Sequence, residues 1–192
     1  MDIRELIGVL GTAEKLKDNT RHSWTSSDRH ESVAEHSWRA CVMAYFLKDE
    51  FPEADMGRVM LMCLFHDMGE AFTGDIPAFN KTDKDVREES RQIENWLNSL
   101  PEPYRRELKG LFDEMNALST QEARIYKAVD KLEALIQHNE GPLCRWLPNE
   151  YELQLTYGAE AVTFSDYMTR LRKAVNEDSR KKMAEEKCAE AE

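Results

Sequence analysis

Apolar residues that recur at helical spacing are the feature that most constrains the fold of this chain. The clearest stripe runs from a cap at Ser119 or Thr120 to about His138. It comprises Ile125, Ala128, Val129, Leu132, Leu135 and Ile136. Spacings of three and four place such side chains on one face of a helix. With only eight glycines and six prolines, and no long apolar-polar alternation, the sequence predicts an all-α fold.

Caps and breakers divide the chain into roughly six to eight expected helices. Their approximate ranges are 3–17, 32–51, 54–70, 85–100, 103–116, 120–138 and 159–175. Prolines and glycines make the segment 141–158 harder to assign. We expect residues 1–175 to form a single domain and residues 176–192 to be a charged helical extension or a tail.

Composition excludes several classes of protein. The formal net charge is -11, which disfavours binding of a polymeric nucleic acid but allows a small phosphorylated ligand. The sequence has no run of eighteen apolar residues, so we expect no membrane span and a cytoplasmic protein. Its four cysteines are scattered without a paired spacing, and disulfides are not expected.

Two histidines and two aspartates lie in three separate stretches of helical periodicity. His36, the adjacent pair His66 and Asp67, and Asp130 combine two imidazoles with two carboxylates. Neutral nitrogens and anionic oxygens together suit a divalent cation that polarises phosphate and activates water. The chain is therefore interpreted first as a metal-dependent hydrolase.

Each of these four residues also has a purely structural interpretation. A single histidine on an apolar helix face is more often a hydrogen-bonded core residue, and Asp130 has Lys127 and Lys131 as neighbours for an ion pair. Adjacent His66 and Asp67 point about 100° apart on a regular helix. Both reach one ion only where the helix bends or ends, and Gly69 favours such a break.

The motifs around these residues resemble the HD-domain phosphohydrolases, specifically their 5'-deoxynucleotidase branch. The similarity covers about residues 16–140 and rests on three motifs. They are Arg29-x-Glu31-Ser32-Val33-x-Glu35-His36, His66-Asp67-Met68-x-Glu70 with Gly74-Asp75-Ile76, and Glu122-Ala123-x-x-x-Lys127-x-x-Asp130. The resemblance implies a helical HD-domain bundle that binds one divalent metal ion (Co, Mn, Mg or Zn) and removes phosphate from deoxyribonucleoside 5'-monophosphates.

By resemblance, further residues receive roles in that reaction. Glu70 matches the carboxylate that handles the attacking water, and Asp75 matches a second acidic residue beside the phosphate. Arg21 and Trp24 are similar to the family's pair that contacts phosphate and sugar. The family also implies a homodimer or higher homo-oligomer, for which Trp96 or Trp146 are candidate anchors.

Other residues remain open between function and surface charge. Arg29 either binds phosphate or pairs with Glu31, and Glu35 is either a partner of the metal site or a solvated helix-opening residue. Lys81 either meets a longer phosphate chain or is ordinary surface charge. His22, His30 and His138 form no inward pair at helical spacing, so one metal ion is expected rather than two.

Three alternatives compete with the monophosphate hydrolase. Related phage enzymes remove triphosphate from dATP, and the same metal ligands suit that reaction. A regulatory protein with fold and metal but without turnover is a second alternative, against which Glu70 and Asp75 argue. In a plain helical scaffold, the third, the histidines and aspartates form a buried polar network.

Overall fold

The computed structural model describes residues 1–189, and side chains through residue 185. Helices make up most of this part, which confirms the predicted all-α class. The α-helices are α1 Ile3–Asp18, α2 Val33–Phe46, α3 Met56–Phe65, α4 Glu70–Thr73, α5 Asp83–Ser99, α6 Tyr104–Ala117, α7 Gln121–Glu140, α8 Glu150–Thr156 and α9 Asp166–Ala189. Short 3₁₀ turns lie at Lys48–Glu50, Leu143–Arg145 and Glu160–Val162.

Helix α7 forms the centre of the molecule. The hydroxyl of Thr120 accepts a hydrogen bond from the backbone N–H of Ala123 at 3.1 Å, which caps the helix, and Gly141 follows its last turn. Five of the six residues of the predicted apolar stripe are buried, with Ile125 and Leu132 fully inaccessible, and Ile136 is partly buried. This stripe packs against α2, α3, α6 and α9, so α7 can present its remaining face to a site between these helices.

A short antiparallel hairpin follows α1 and was not predicted. Strand β1, Thr20–Trp24, pairs with β2, His30–Ser32. Its strands have five and three residues, which is too few for an alternation of apolar and polar side chains to be recognised in the sequence. Gln137 on α7 donates a hydrogen bond to the carbonyl of Trp24 at 2.8 Å. A Cβ at Gly141 would lie 2.6 Å from that carbonyl oxygen, so the close approach of β1 to α7 requires glycine there.

The predicted single helix over 54–70 is wrong. Helix α3 ends at Phe65, residues 66–69 form turns, and α4 begins at Glu70. A Cβ at Gly69 would lie 2.8 Å from the side chain of Glu89 on α5, so glycine lets α5 approach the break closely. The break lies directly at His66 and Asp67, where the metal hypothesis requires one.

The C-terminal elements differ from the expected helix over 159–175. An unpredicted short helix, α8, precedes α9, and α9 begins at Asp166 and continues to Ala189. It crosses residue 175, where we expected the domain to end, so the division into domain and extension stays a prediction. Residues 190–192 of the expected extension lie outside the described residues.

Two tryptophans are buried rather than exposed. Trp96 is 6% exposed and Trp146 is 7% exposed, so the expectation that they anchor a dimer is wrong. Among residues 1–189, no helix has the length and apolar character needed to cross a bilayer.

Candidate metal centre

Three regions of the fold bring His36, His66, Asp67 and Asp130 to one point. His66 Nε2 lies 3.1 Å from Asp67 Oδ2 and 3.7 Å from Asp130 Oδ1. His36 Nε2, from α2, lies 3.4 Å from Asp130 Oδ1 and 3.9 Å from Asp67 Oδ2. His66 keeps helical φ and ψ values of -57° and -38° at the end of α3, and Asp67 lies in the turn that follows.

The four side chains fit a divalent cation. Atoms bound to one cation at about 2.1 Å are separated from their neighbours by about 3 to 3.5 Å, close to the distances found here. The Nε2 atoms of His36 and His66 are buried and have no hydrogen-bond partner among the described residues. Buried polar atoms without a partner are costly, and a cation between them would remove that cost.

Hydrogen bonds behind the two imidazoles direct both Nε2 atoms inward. Nδ1 of His36 contacts the carboxylate of Glu133, and Nδ1 of His66 lies 2.8 Å from the carbonyl oxygen of Cys63. Such contacts fix the tautomer of a metal-binding histidine and its ring orientation. Sequence reasoning missed Glu133, although its position three residues after Asp130 on α7 is a signal that was available.

The charges around this point are predominantly negative. Burial disfavours charge on His66, but Asp67 and Asp130 outweigh it and raise the pKa of His66 to about 10. Burial opposes ionisation of Asp67, yet His66 and His36 hold the pKa of Asp67 below its ordinary value. Lys127 Nζ lies 2.9 Å from Asp130 Oδ2, so the ion pair considered as the structural alternative is formed. Only one oxygen of Asp130 is engaged in it.

A second group of possible ligands shares one histidine with the first. Atoms of Glu31, His36 and Glu133 lie close enough together to hold an ion. An ion held by this second group would have to bind His36 through Nδ1, however, and Nδ1 already contacts the carboxylate of Glu133. Arg21 and Arg39 lie 3.6 Å from Glu31 and Glu133, respectively, and supply positive charge there. The first group is therefore the better cation site.

A cavity of about 460 Å³ opens beside the four side chains. Glu70 and Asp75 line its wall. Glu70 is 6% exposed, and burial together with Asp67 and Asp75 raises the pKa of Glu70 to about 9. Burial likewise raises the pKa of Asp75. The structure thus places both predicted catalytic carboxylates beside the candidate metal centre.

The predicted substrate-binding residues do not all lie at the cavity. Arg21 lines it, and its buried Nη1 has no hydrogen-bond partner among the described residues. Burial opposes charge on Arg21, but Asp67 and Glu31 outweigh this and raise its pKa. Lys81 also lines the cavity, where it forms an ion pair with Glu89.

Trp24 and Arg29 occupy different surroundings. Neither is among the described residues that line the cavity. The Trp24 ring lies 4.0 Å from that of His30 and 4.3 Å from the guanidinium of Arg145. Arg29 makes a two-pronged ion pair with Glu35, not with Glu31. Roles of Trp24 and Arg29 in substrate binding stay predictions.

Comparison with known protein families identifies the fold. The HD-domain family profile matches residues 13–172. The chain belongs to the HD-domain family. The resemblance seen in the motifs around His36, His66, Asp67 and Asp130 is thereby confirmed.

Several relatives of this HD-domain protein are characterised by name. The human protein 5'-deoxynucleotidase HDDC2 is 37% identical over 142 residues, covering 71% of this chain and 68% of its own. The 5'-deoxynucleotidase hdd1 of Schizosaccharomyces pombe is 27% identical, covering 69% and 70%. A dATP triphosphohydrolase of Salmonella phage PMBT28 is 33% identical over 66 residues, covering 30% and 34%.

Solved structures share the fold. A protein of Magnetospirillum magnetotacticum MS-1, described as a predicted metal-dependent phosphohydrolase, superposes with a TM-score of 0.79 at 24% identity and covers 94% of this chain and 96% of its own. A conserved hypothetical protein of Pyrococcus furiosus has a TM-score of 0.61 at 27% identity, covering 91% and 99%. The fold shared with these two structures therefore extends over nearly the whole chain.

Proposed function

We propose that this protein is a metal-dependent 5'-deoxynucleotidase that releases phosphate from deoxyribonucleoside 5'-monophosphates. One observation carries the proposal: four side chains that fit a divalent cation adjoin a cavity that also contains Glu70 and Arg21. Relatives named 5'-deoxynucleotidase, 27–37% identical over about 70% of this chain, support the choice of substrate.

His36, His66, Asp67 and Asp130 would hold one divalent cation. When bound, such an ion supplies positive charge that stabilises the phosphoryl group in the transition state and favours ionisation of water. Arg21 lines this cavity and its buried Nη1 has no partner among the described residues, so in our proposal Nη1 donates to a phosphate oxygen. Arg21 thereby orients the phosphorus atom toward the attacking water.

Glu70 moves the proton in this proposal. The water oxygen forms a bond to phosphorus, the bond from phosphorus to the 5' oxygen breaks, and the proton released by water passes through Glu70 to the leaving oxygen. Burial and its carboxylate neighbours raise the pKa of Glu70 to about 9, so the side chain holds a proton at neutral pH. The positive charge of a bound cation would favour its ionised form, which can accept the proton from water. Asp75, partly buried beside Glu70, helps to keep that pKa high.

A triphosphohydrolase is the second candidate. The phage relative named dATP triphosphohydrolase favours it, and Lys81 in the cavity wall is a cation that a longer phosphate chain could reach. Lys81 is already paired with Glu89, however. The phage match also covers less of this chain than the deoxynucleotidase matches. These two points favour the monophosphate.

An assay of products separates these candidates. Purified protein is incubated with deoxyribonucleoside and ribonucleoside mono-, di- and triphosphates, each with Mg²⁺, Mn²⁺, Co²⁺ and Zn²⁺, and every product is identified. We expect orthophosphate and a deoxynucleoside from monophosphates. Tripolyphosphate would support the alternative, and metal retention without any product would indicate a binding protein.

We also propose that the protein is a homodimer. Exposed apolar residues follow helical spacing on two neighbouring helices: Ile3, Leu6, Ile7 and Leu10 on α1, and Trp38, Val42, Tyr45 and Phe46 on α2. Exposed apolar surface of this kind is typical of an interface, and a second copy offers a matching one. Sedimentation equilibrium should give twice the chain mass, and a monomer would contradict the proposal. Cytoplasmic location stays a prediction.

A further inference from the structure

The end of the cavity away from the metal centre contains a second cluster of titratable groups. His22 on β1, His138 on α7 and Glu150 on α8 all line the cavity. His22 Nε2 lies 3.0 Å from Glu150 Oε1, and His138 Nε2 lies 3.9 Å from the same oxygen. Neither the metal centre nor the proposed proton transfer uses these residues.

The cluster lies at a suitable distance from the metal centre for one end of a nucleotide. Asp130, Ala134 and His138 are spaced by four residues on α7, and all three line the cavity. Eight residues of helix separate Asp130 from His138, which is about 12 Å along the axis. A phosphate beside the metal centre therefore places the base of the same molecule near His138 and Glu150. The single methyl group of Ala134 leaves room for the sugar between them.

The cluster presents hydrogen-bond acceptors. Glu150 is 4% exposed, and its second oxygen accepts a hydrogen bond from the backbone N–H of Leu147 at 2.6 Å, which fixes the carboxylate. Burial lowers the pKa of His138 to about 4, so its imidazole is neutral at pH 7 and has one nitrogen with a free lone pair. The ring stacks on Trp146 at 4.2 Å between centroids, which limits its rotation.

One of these polar atoms, His138 Nε2, has no partner within hydrogen-bond distance among the described residues. The Nε2 atoms of His22 and His138 are buried without a well-aligned hydrogen bond to any described residue. The gap of 3.9 Å between His138 Nε2 and Glu150 Oε1 is too long for a direct hydrogen bond. It is a gap that one donor group with two hydrogens can bridge.

We propose that His138 and Glu150 form a base-recognition subsite that selects nucleotides with an exocyclic amino group. The amino group donates to Glu150 Oε1 and to His138 Nε2, and His22 positions the carboxylate. Cytosine and adenine carry such a group, whereas uracil and hypoxanthine present a carbonyl oxygen at the same position, which would meet two acceptors. This inference rests on the proposed deoxynucleotidase function.

Matched substrate pairs test the subsite. The pairs dCMP with dUMP and dAMP with dIMP each differ chiefly by an amino group in place of a carbonyl. We expect kcat/KM of the wild-type protein to be at least about tenfold higher for the amino member of each pair. Equal values for both members would overturn the proposal without any variant.

A single variant assigns the preference to Glu150. Glu150→Gln introduces an amide that can donate to a carbonyl, and we expect it to bring the two members of each pair within about threefold. Glu152→Gln, on the exposed face of the same helix, should leave the preference unchanged. A preference that persists in folded, metal-loaded Glu150→Gln would overturn the proposal. Melting temperature and metal content verify that the variant is folded and loaded.

Equilibrium binding separates this inference from the proposed function. Calorimetry with dCMP and dUMP on metal-free protein reports base preference whether or not turnover occurs. If dCMP binds about tenfold more tightly in a manner that depends on Glu150 and no phosphate is released, the subsite stands and the deoxynucleotidase proposal fails. If both are hydrolysed and bound equally, the deoxynucleotidase proposal stands and the subsite fails.

Discussion

The protein has two histidine clusters, one at the candidate metal centre and one at the far end of the cavity. Their surroundings shift the pKa of His66 and the pKa of His138 in opposite directions. At the metal centre, His66 has the carboxylates of Asp67 and Asp130 within 4 Å, and its pKa is raised to about 10 in spite of burial. At the far end of the cavity, burial lowers the pKa of His138 to about 4, and Glu150 offsets this only in part. The carboxylates at the first cluster attract positive charge, whereas the imidazole of His138 is neutral at pH 7.

The number of nearby carboxylates explains the difference. A buried imidazole with one distant carboxylate stays neutral, because desolvation exceeds the attraction. Two carboxylates within reach reverse that balance, and a divalent cation can then replace the protons. In our proposals the same residue type would thus serve as a metal ligand at one end and as a neutral hydrogen-bonding group at the other.

Removal of Asp130 should have the largest effect on the metal centre, both on its metal content and on activity. Asp130→Ala removes one ligand and the negative charge that His36 and His66 share, so we expect loss of the bound metal and a fall in kcat/KM on the order of a thousandfold. Metal content by mass spectrometry and phosphate release measure both. Asp113→Ala, on the exposed face of α6, serves as the control. Full metal content in Asp130→Ala would remove Asp130 from the site.

Glu70 should affect the rate without affecting the metal. Glu70→Gln keeps the size of the side chain but removes its ability to accept a proton, so we expect kcat to fall by about a hundredfold or more at normal metal content. Steady-state kinetics with metal analysis of the same preparation provides the measurement. A variant that loses the metal instead would show that Glu70 is a ligand.

Glu133 should tune the affinity for metal. Its contact with His36 Nδ1 orients the ring, and we expect Glu133→Gln to weaken metal binding by about 10- to 100-fold, with activity restored at saturating metal. Titration of metal-free protein with Mn²⁺ reports the affinity. Glu94→Gln, exposed on α5, is the matched control. Unchanged affinity in Glu133→Gln would mean that the contact is only structural.

The smallest expected effect is on the pH dependence of folding stability, through His138 at the far end of the cavity. The pKa of His138 is about 4 in the folded chain against an ordinary 6.5, so the unfolded chain binds this proton more readily between these values. Stability therefore falls as pH decreases from 6.5 toward 4. His22 and Lys182 add to the lowering. Urea unfolding across this range should show a shallower pH dependence for His138→Gln, and an equal slope would contradict the assignment.

Local sequence patterns were sufficient to predict a helix where residues within and next to that helix set its ends. Thr120, the apolar stripe and Gly141 delimit α7, and the structure reproduces them. His36, the pair His66 and Asp67, and Asp130 lie in three stretches whose helical periodicity places them on inward faces. Their order in the chain therefore predicted that they meet. Gly69 also indicated that the helix breaks beside Asp67, because a break is needed for both neighbours to face one point.

Features that depend on distant parts of the chain were not predictable in this way. The pairing of β1 with β2 and the contact of β1 with α7 exist only in the folded protein, through residues such as Gln137 and Gly141. His22, His138 and Glu150 lie on three elements, and one of these, α8, is too short to leave a clear periodic pattern. Their convergence follows from packing of the cavity wall and not from spacing.

Anomalous diffraction from crystals grown with Mn²⁺ tests the central claim most directly. We expect a single strong peak about 2.1 to 2.3 Å from His36 Nε2, His66 Nε2 and carboxylate oxygens of Asp67 and Asp130. A peak between Glu31 and Glu133, a peak at His138 and Glu150, or no peak at all at saturating Mn²⁺ would contradict the account.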